Sequence, residues 1–138
     1  MKVALDTNVL VSAVATRGLC TDILHATLAE HRLVIGETVL AELRRVLRQR
    51  IRVPADTIDE MDAFLRRQAI GVDAAPALAI TMRDTSDLLV LAEAVAGEAD
   101  VIVTGDRDLL DIAAKAPIPI VTPRGFWERL RANPEADE

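Results

Sequence analysis

The feature that most constrains this chain is an alternation of short apolar runs with longer amphipathic ones. Lys2 to Leu5, Leu33 to Ile35, Val101 to Val103 and Ile118 to Val121 are three or four residues each, largely apolar and rich in β-branched side chains. A strand wetted on one face alternates apolar with polar residues, whereas a run apolar throughout reads as a strand covered on both faces. Amphipathic segments lie between these runs. Val9 to Ala15 reads as helix, and Thr21 to His31 carries a stripe of Ile23, Leu24, Thr27 and Leu28. From Thr38, an expected N-cap, Val39, Leu40, Leu43, Val46 and Leu47 share one helical face. Asp56 to Ala69 places Ile58, Met61, Phe64 and Leu65 inward, and Asp87 to Ala96 is apolar nearly all round, as a core helix would be. Leu109 to Ala116 is a short helix, and Pro123 opens a closing one with Phe126, Trp127 and Leu130.

Strand and helix in alternation predict an α/β fold, a three-layer α/β/α sandwich around a central, mostly parallel sheet. The length, 138 residues, suits a single domain. That domain is expected over residues 1–132, followed by a polar, acidic and disordered tail over 133–138. A further strand over Ala77 to Thr81 is weakly indicated by an alanine-rich run.

Composition removes several function classes. Aromatic residues are 2% of the chain, too few for a platform on which bases stack. The net charge of −6 argues against a constitutive polyanion binder. Cys20 is the one cysteine, which excludes an intrachain disulfide and suits a reducing compartment. No apolar run approaches the roughly 18 residues of a membrane span. The opening MKVALDTNVL meets an acid at Asp6 where a secretory core would continue, so a cytoplasmic protein without membrane association is expected.

The acids fall in a pattern. In an open parallel sheet, ligands gather outside the carboxyl ends of the strands. Asp6 follows the first strand, and Asp106 and Asp108 follow the Val101 run. Glu42 lies early in its helix, and Asp84 and Asp87 lie at the start of the core helix. Several carboxylates on one rim raise one another's pKa unless a cation offsets them. Lys2 and Lys115 are the only lysines, so a hard divalent cation, Mg²⁺ or Mn²⁺, is the fitting partner. Each acid also has a structural role open to it. Asp6 could be an N-cap, Asp84 with Asp87 a capping pair, Glu42 a helix acid paired with Arg44 or Arg45, and Asp106 with Asp108 an Asx-turn and first-turn acid.

The basic residues are nearly all arginine. Arg44, Arg45 and Arg48, with Arg50 and Arg52, crowd the end of the Glu42 helix. Guanidinium forks match phosphate oxygens, so this stripe is a candidate RNA-binding surface; a solvated helix face is the alternative. No GxSxG elbow, GxGxxG turn or Walker A loop is present, and Ser12 has no histidine placed to activate it.

Four segments, VALDTNVLVSA, ETVLAELRRVL, RDTSDLLVLAEA and ADVIVTGDRDLL, occur in an order that resembles the PIN-domain family. The resemblance spans Lys2 to about Arg131 and is greatest to bacterial PIN proteins classed as toxins of toxin–antitoxin pairs. It implies an α/β/α sandwich and a Mg²⁺- or Mn²⁺-dependent endoribonuclease. The family's four acids match Asp6, Glu42, Asp87 and Asp106, which would be its catalytic and metal-holding residues. Asn8 and Thr104 match polar supports, and Asp108 an accessory acid. The implied partners are an RNA substrate, a cognate antitoxin protein, and further copies of the chain in a homodimer or higher oligomer. This chain departs from close relatives in following Asp87 directly with Leu88 and Leu89. A non-catalytic scaffold that binds RNA or a protein is the second reading. A phosphorelay receiver would want an acid beside Asp6 and a lysine after the last strand. A dehalogenase-type phosphatase would want an acid where Asn8 stands.

Overall fold

The computed structural model describes residues 1–72 and 85–132. The strand expected over 77–81, the Asp84 cap and the tail over 133–138 lie outside the described residues.

In chain order the elements are β1 (Lys2–Leu5), α1 (Thr7–Ala15), α2 (Leu19–Glu30), β2 (Arg32–Gly36), α3 (Glu37–Gln49), α4 (Ala55–Gln68), β3 (Ala69–Val72), α5 (Thr85–Ala96), β4 (Val101–Val103), α6 (Arg107–Asp111), β5 (Ile120–Val121) and α7 (Pro123–Ala132). The five strands form one sheet in the order β3-β2-β1-β4-β5, and every pair is parallel. Alternate residues of each strand enter opposite cores. Val3, Leu5, Leu33, Ile35, Val101 and Val103 pack with α1, α2, α3, α4 and Phe126 of α7. Ala4, Val34 and Ile102 face Leu91 and Ala94 of α5 and Leu109 of α6. The sheet is covered on both sides, which is why its strands carry no polar alternation.

Several local expectations are corrected. Thr38 is not the cap of α3. Strand β2 runs on through Gly36, so the helix starts at Glu37 and the Thr38 amide is a first-turn donor. That donor meets the buried Glu93 of α5, at 2.8 and 3.3 Å from its two carboxylate oxygens. Helix α5 is therefore not uniformly apolar inside, and Leu89 is 46% exposed on its outer side. On α4 the inward stripe is Ile58, Asp62 and Leu65, while Phe64 lies 41% exposed. Asp62 takes an inward place because Arg44 and Arg66 both donate to its carboxylate. Helix α6 ends at Asp111 and is followed by a 3-10 turn, Ala113–Lys115, in place of one continuous helix. Strand β5 is only Ile120–Val121, since Pro117 and Pro119 have no N–H to give a ladder.

Strand β3 is absent from the sequence expectation. Its Ala-Ile-Gly-Val run is weakly β-forming, and its pairing with β2 from Leu33 to Gly36 supplies the order that local propensity does not. The sequence places no membrane span here, and among the described residues no single helix is long and apolar enough to cross a membrane.

Close packing of α5 on the sheet depends on Gly97, where an added Cβ would stand 2.5 Å from Val34 Cγ1 and 2.9 Å from Val72 Cγ2. Gly97→Ala is expected to lower stability by about 1–3 kcal/mol, read as a lower urea midpoint with unchanged slope. An unchanged midpoint would mean that α5 packs less tightly than described.

Candidate active site

Strand order reverses at the β1–β4 pair: the chain moves outward from β1 through β2 to β3, then returns to β4 beside β1. Leu5 is paired with Val103, so the two strands end side by side. Whatever follows each strand shares one rim, the usual place for a ligand in such a sheet. Asp6 follows β1 at once, with its amide bonded to the Val103 carbonyl at 3.0 Å. Thr104 follows β4, its amide held by the Val121 carbonyl at 2.9 Å.

Asp6 is buried, 5% exposed, and both its oxygens are used. Oδ1 accepts from the Thr7 amide at 2.8 Å, capping α1, and Oδ2 accepts from the Thr104 hydroxyl at 2.8 Å. The Thr104 oxygen in turn accepts from the Asp106 amide at 3.0 Å, and Asp106 Oδ1 accepts from the Asp108 amide at 2.9 Å. Asp106 thereby caps α6. On the other side, the Thr7 hydroxyl donates to Glu42 Oε2 at 3.0 Å. The structural roles open to Asp6 and Asp106 are thus filled, and the same bonds aim their carboxyls.

Burial pushes the Asp6 carboxyl above its ordinary value, and the neighbouring Asp106 and Glu42 charges add to the rise. The Thr104 and Thr7 hydrogen bonds work against it. Carboxylate oxygens of Asp87, Asp106 and Asp108 lie within 4.8 Å of one another, and all three residues are half-buried. Across a bound divalent ion, opposite oxygen ligands stand roughly 4–5 Å apart, so this set fits a hard cation. No lysine shares the rim, since Lys2 is paired with Glu98 and Lys115 lies beyond α6.

The structure thus brings Asp6, Glu42, Thr104 and Asp106 into one chain of hydrogen bonds, and Asp87, Asp106 and Asp108 into one acidic group. Asn8 is exposed on the first turn of α1. Arg44 is engaged elsewhere: it pairs with Asp59 at 2.6 Å and with Asp62 at 3.1 Å, tying α3 to α4. Arg45 and Arg48 are exposed on the outer face of α3. Thr7 joins the site without being singled out by sequence. Its position inside the DTN triplet, one residue after the strand-end acid, is the available signal.

Fold and site together define a three-layer parallel α/β protein with a cluster of carboxylates at its topological switch point. The sequence pattern of the PIN domain matches residues 2–108, and the chain belongs to the PIN-domain family. No curated protein matches it. Among solved structures it is similar to VapBC2 from Rickettsia felis bound to a DNA fragment from the promoter, at 20% identity and a TM-score of 0.61, covering 88% of this chain and 98% of that one. It is similar to VapBC-1 from nontypeable Haemophilus influenzae at 14% identity and 0.64, covering 90% and 99%. FitAcB from Neisseria gonorrhoeae matches at 17% identity and 0.57, covering 88% and 98%. At these identities the likeness is one of fold.

The raised Asp6 carboxyl has a consequence for stability. A carboxyl whose folded value lies above its unfolded 3.8 binds its proton more tightly in the folded state. Its contribution is most favourable below that unfolded value and is lost as pH rises through the folded one. Asp6→Asn is therefore expected to raise the Tm of the metal-free protein at pH 7, with the gain shrinking as pH falls toward 4. A lower Tm for the variant at pH 7 would make the charged carboxylate a net structural support.

Proposed function

We propose that this protein is a cytoplasmic, Mg²⁺- or Mn²⁺-dependent endoribonuclease and the toxin of a toxin–antitoxin pair. The observation that carries the reading is the meeting of Asp87, Asp106 and Asp108 on the rim where Asp6 and Glu42 are hydrogen-bonded into place. Membership of the PIN-domain family and the likeness to the VapBC and FitAcB structures support it. They also support an antitoxin partner and an assembly of more than one chain.

In this reading Asp87, Asp106 and Asp108 hold the cation, with Asp6 and Glu42 completing the pocket. When bound, the cation supplies positive charge against the scissile phosphate and Lewis acidity at the reacting oxygens. The remaining work belongs to the chain. The Asp6 carboxyl is held by the Thr104 hydroxyl and the Asp106 carboxyl by the Asp108 amide, so neither has to be ordered when substrate arrives. Glu42 uses Oε2 for Thr7 and keeps Oε1 for a water or a substrate hydroxyl. Arg45 and Arg48, exposed on α3, offer phosphate contacts that hold the RNA backbone without taking part in the chemistry.

Purified protein is expected to cleave RNA with Mg²⁺ or Mn²⁺ and to stop in EDTA, and Asp87→Asn to lower kcat by about a hundredfold or more. Cleavage undiminished by exhaustive chelation would overturn the proposal. Replacing Arg45 and Arg48 together by Gln should weaken RNA binding and flatten log affinity against log salt by roughly one unit for each phosphate no longer neutralised. An unchanged slope would remove the two arginines from the substrate path and leave them as solvated residues or antitoxin contacts.

A further inference from the structure

Glu93 belongs to none of the family's four acids, yet it is buried at 6% exposure against the first turn of α3. Its carboxylate accepts from the Thr38 amide, the second residue of that helix. A carboxylate at a helix N-terminus takes up orphan N–H groups and meets the positive end of the dipole. The fold makes room for it. At Gly36 an added Cβ would stand 2.1 Å from Glu93 Oε1 and 2.7 Å from its Cβ, so the β2–α3 junction is a glycine where the Glu93 side chain crosses.

The placement matters because of what each helix carries. Thr38 and Glu42 are four residues apart on α3 and so share a helix face. Asp87 and Glu93 are both on α5. A closed circuit results. From Glu93 it passes to the Thr38 amide, along α3 to Glu42, to the Thr7 hydroxyl, and by the Thr7 amide to Asp6. It continues from Asp6 through Thr104 to Asp106 and Asp108, then to Asp87, and along α5 back to Glu93. The Glu93 carboxylate thereby ties the helix bearing Glu42 to the helix bearing Asp87. Glu42 lies outside the three-acid group, so its placement depends on how α3 is seated.

We infer that Glu93 is a positioning residue of the acidic site, fixing α3 on α5 so that Glu42 meets the pocket that Asp87 enters. This rests on the proposed metal-dependent ribonuclease, and the experiment separates the two. Glu93→Leu removes the acceptor. Gly36→Ala keeps Glu93 but drives its carboxylate from its place, so it decides the matter if the leucine variant does not fold. Both are expected to lower kcat by about tenfold or more, with KM for RNA within about twofold, because misplacing one group costs turnover before binding. Glu93→Gln, which keeps an acceptor oxygen for Thr38, should remain within about threefold of wild type. Leu65→Ala, a buried α4 truncation that lowers stability away from the site, should leave kcat unchanged well below its Tm. Wild-type kcat in folded Glu93→Leu or Gly36→Ala, or an equal fall in Leu65→Ala, overturns the inference. If wild type cleaves no RNA with any metal, the ribonuclease reading fails by itself, and Mn²⁺ titrated calorimetrically into the same variants decides the positioning role. Affinity weakened about tenfold in Glu93→Leu and Gly36→Ala, with Leu65→Ala at the wild-type value, supports the role; equal affinities in all of them overturn it.

Discussion

Asp6 is a carboxylate lodged at the end of a central strand, where water scarcely reaches it, and its neighbours are arranged around the difficulty of keeping it there. An ionised group in such a place must be hydrogen-bonded or give up its charge. Here two donors are supplied, one from the backbone of α1 and one from the Thr104 hydroxyl at the end of β4. Both arrive because β1 and β4 are parallel neighbours in register, with Leu5 opposite Val103. A slip of one residue would turn every strand side chain to the other face and take Thr104 away from Asp6. The two hydrophobic cores, which hold that register, are therefore also what holds the carboxyl.

Threonine hydroxyls do the joining. Thr104 donates to one acid and accepts from the amide of another, and Thr7 donates to Glu42 while its own amide caps onto Asp6. A hydroxyl can give and receive at once, so the Thr104 side chain ties the Asp6 carboxylate to the backbone that carries Asp106. Glu93 extends the same arrangement to whole helices. Its carboxylate accepts from the Thr38 amide in the first turn of α3. The ion pairs of Glu37 with Arg66 and of Arg44 with Asp62 tie α3 to α4.

Much of the fold is legible in the sequence because burial on both faces leaves a plain mark. Lys2–Leu5 and Val101–Val103 stand where their apolar runs end, and the stripe Val39, Leu40, Leu43, Val46 and Leu47 is the buried face of α3. Capping chemistry is legible too, since Asp6 and Asp106 are short acids placed between a strand and a helix. The rest is not local. Apolar spacing points Phe64 inward, because spacing alone cannot show that Asp62, bridged by two arginines, takes the inner position. Arg44 groups with Arg45 and Arg48 in sequence, which cannot show that Asp59 and Asp62 come from the next helix to engage it.

The candidate residues of the pocket, the order of most strands and helices, and the family were determined by the sequence itself, because strand-end acids and doubly apolar runs carry their own spacing. Tertiary structure alone decided which acids meet. Asp87 and Asp108 are 21 positions apart and Asp6 and Thr104 are 98, distances over which spacing carries no geometry. It also decided that Glu93, which reads as an interruption in an apolar helix, lies against the Thr38 N–H of α3. Its partner is a backbone amide, and every residue but proline has one.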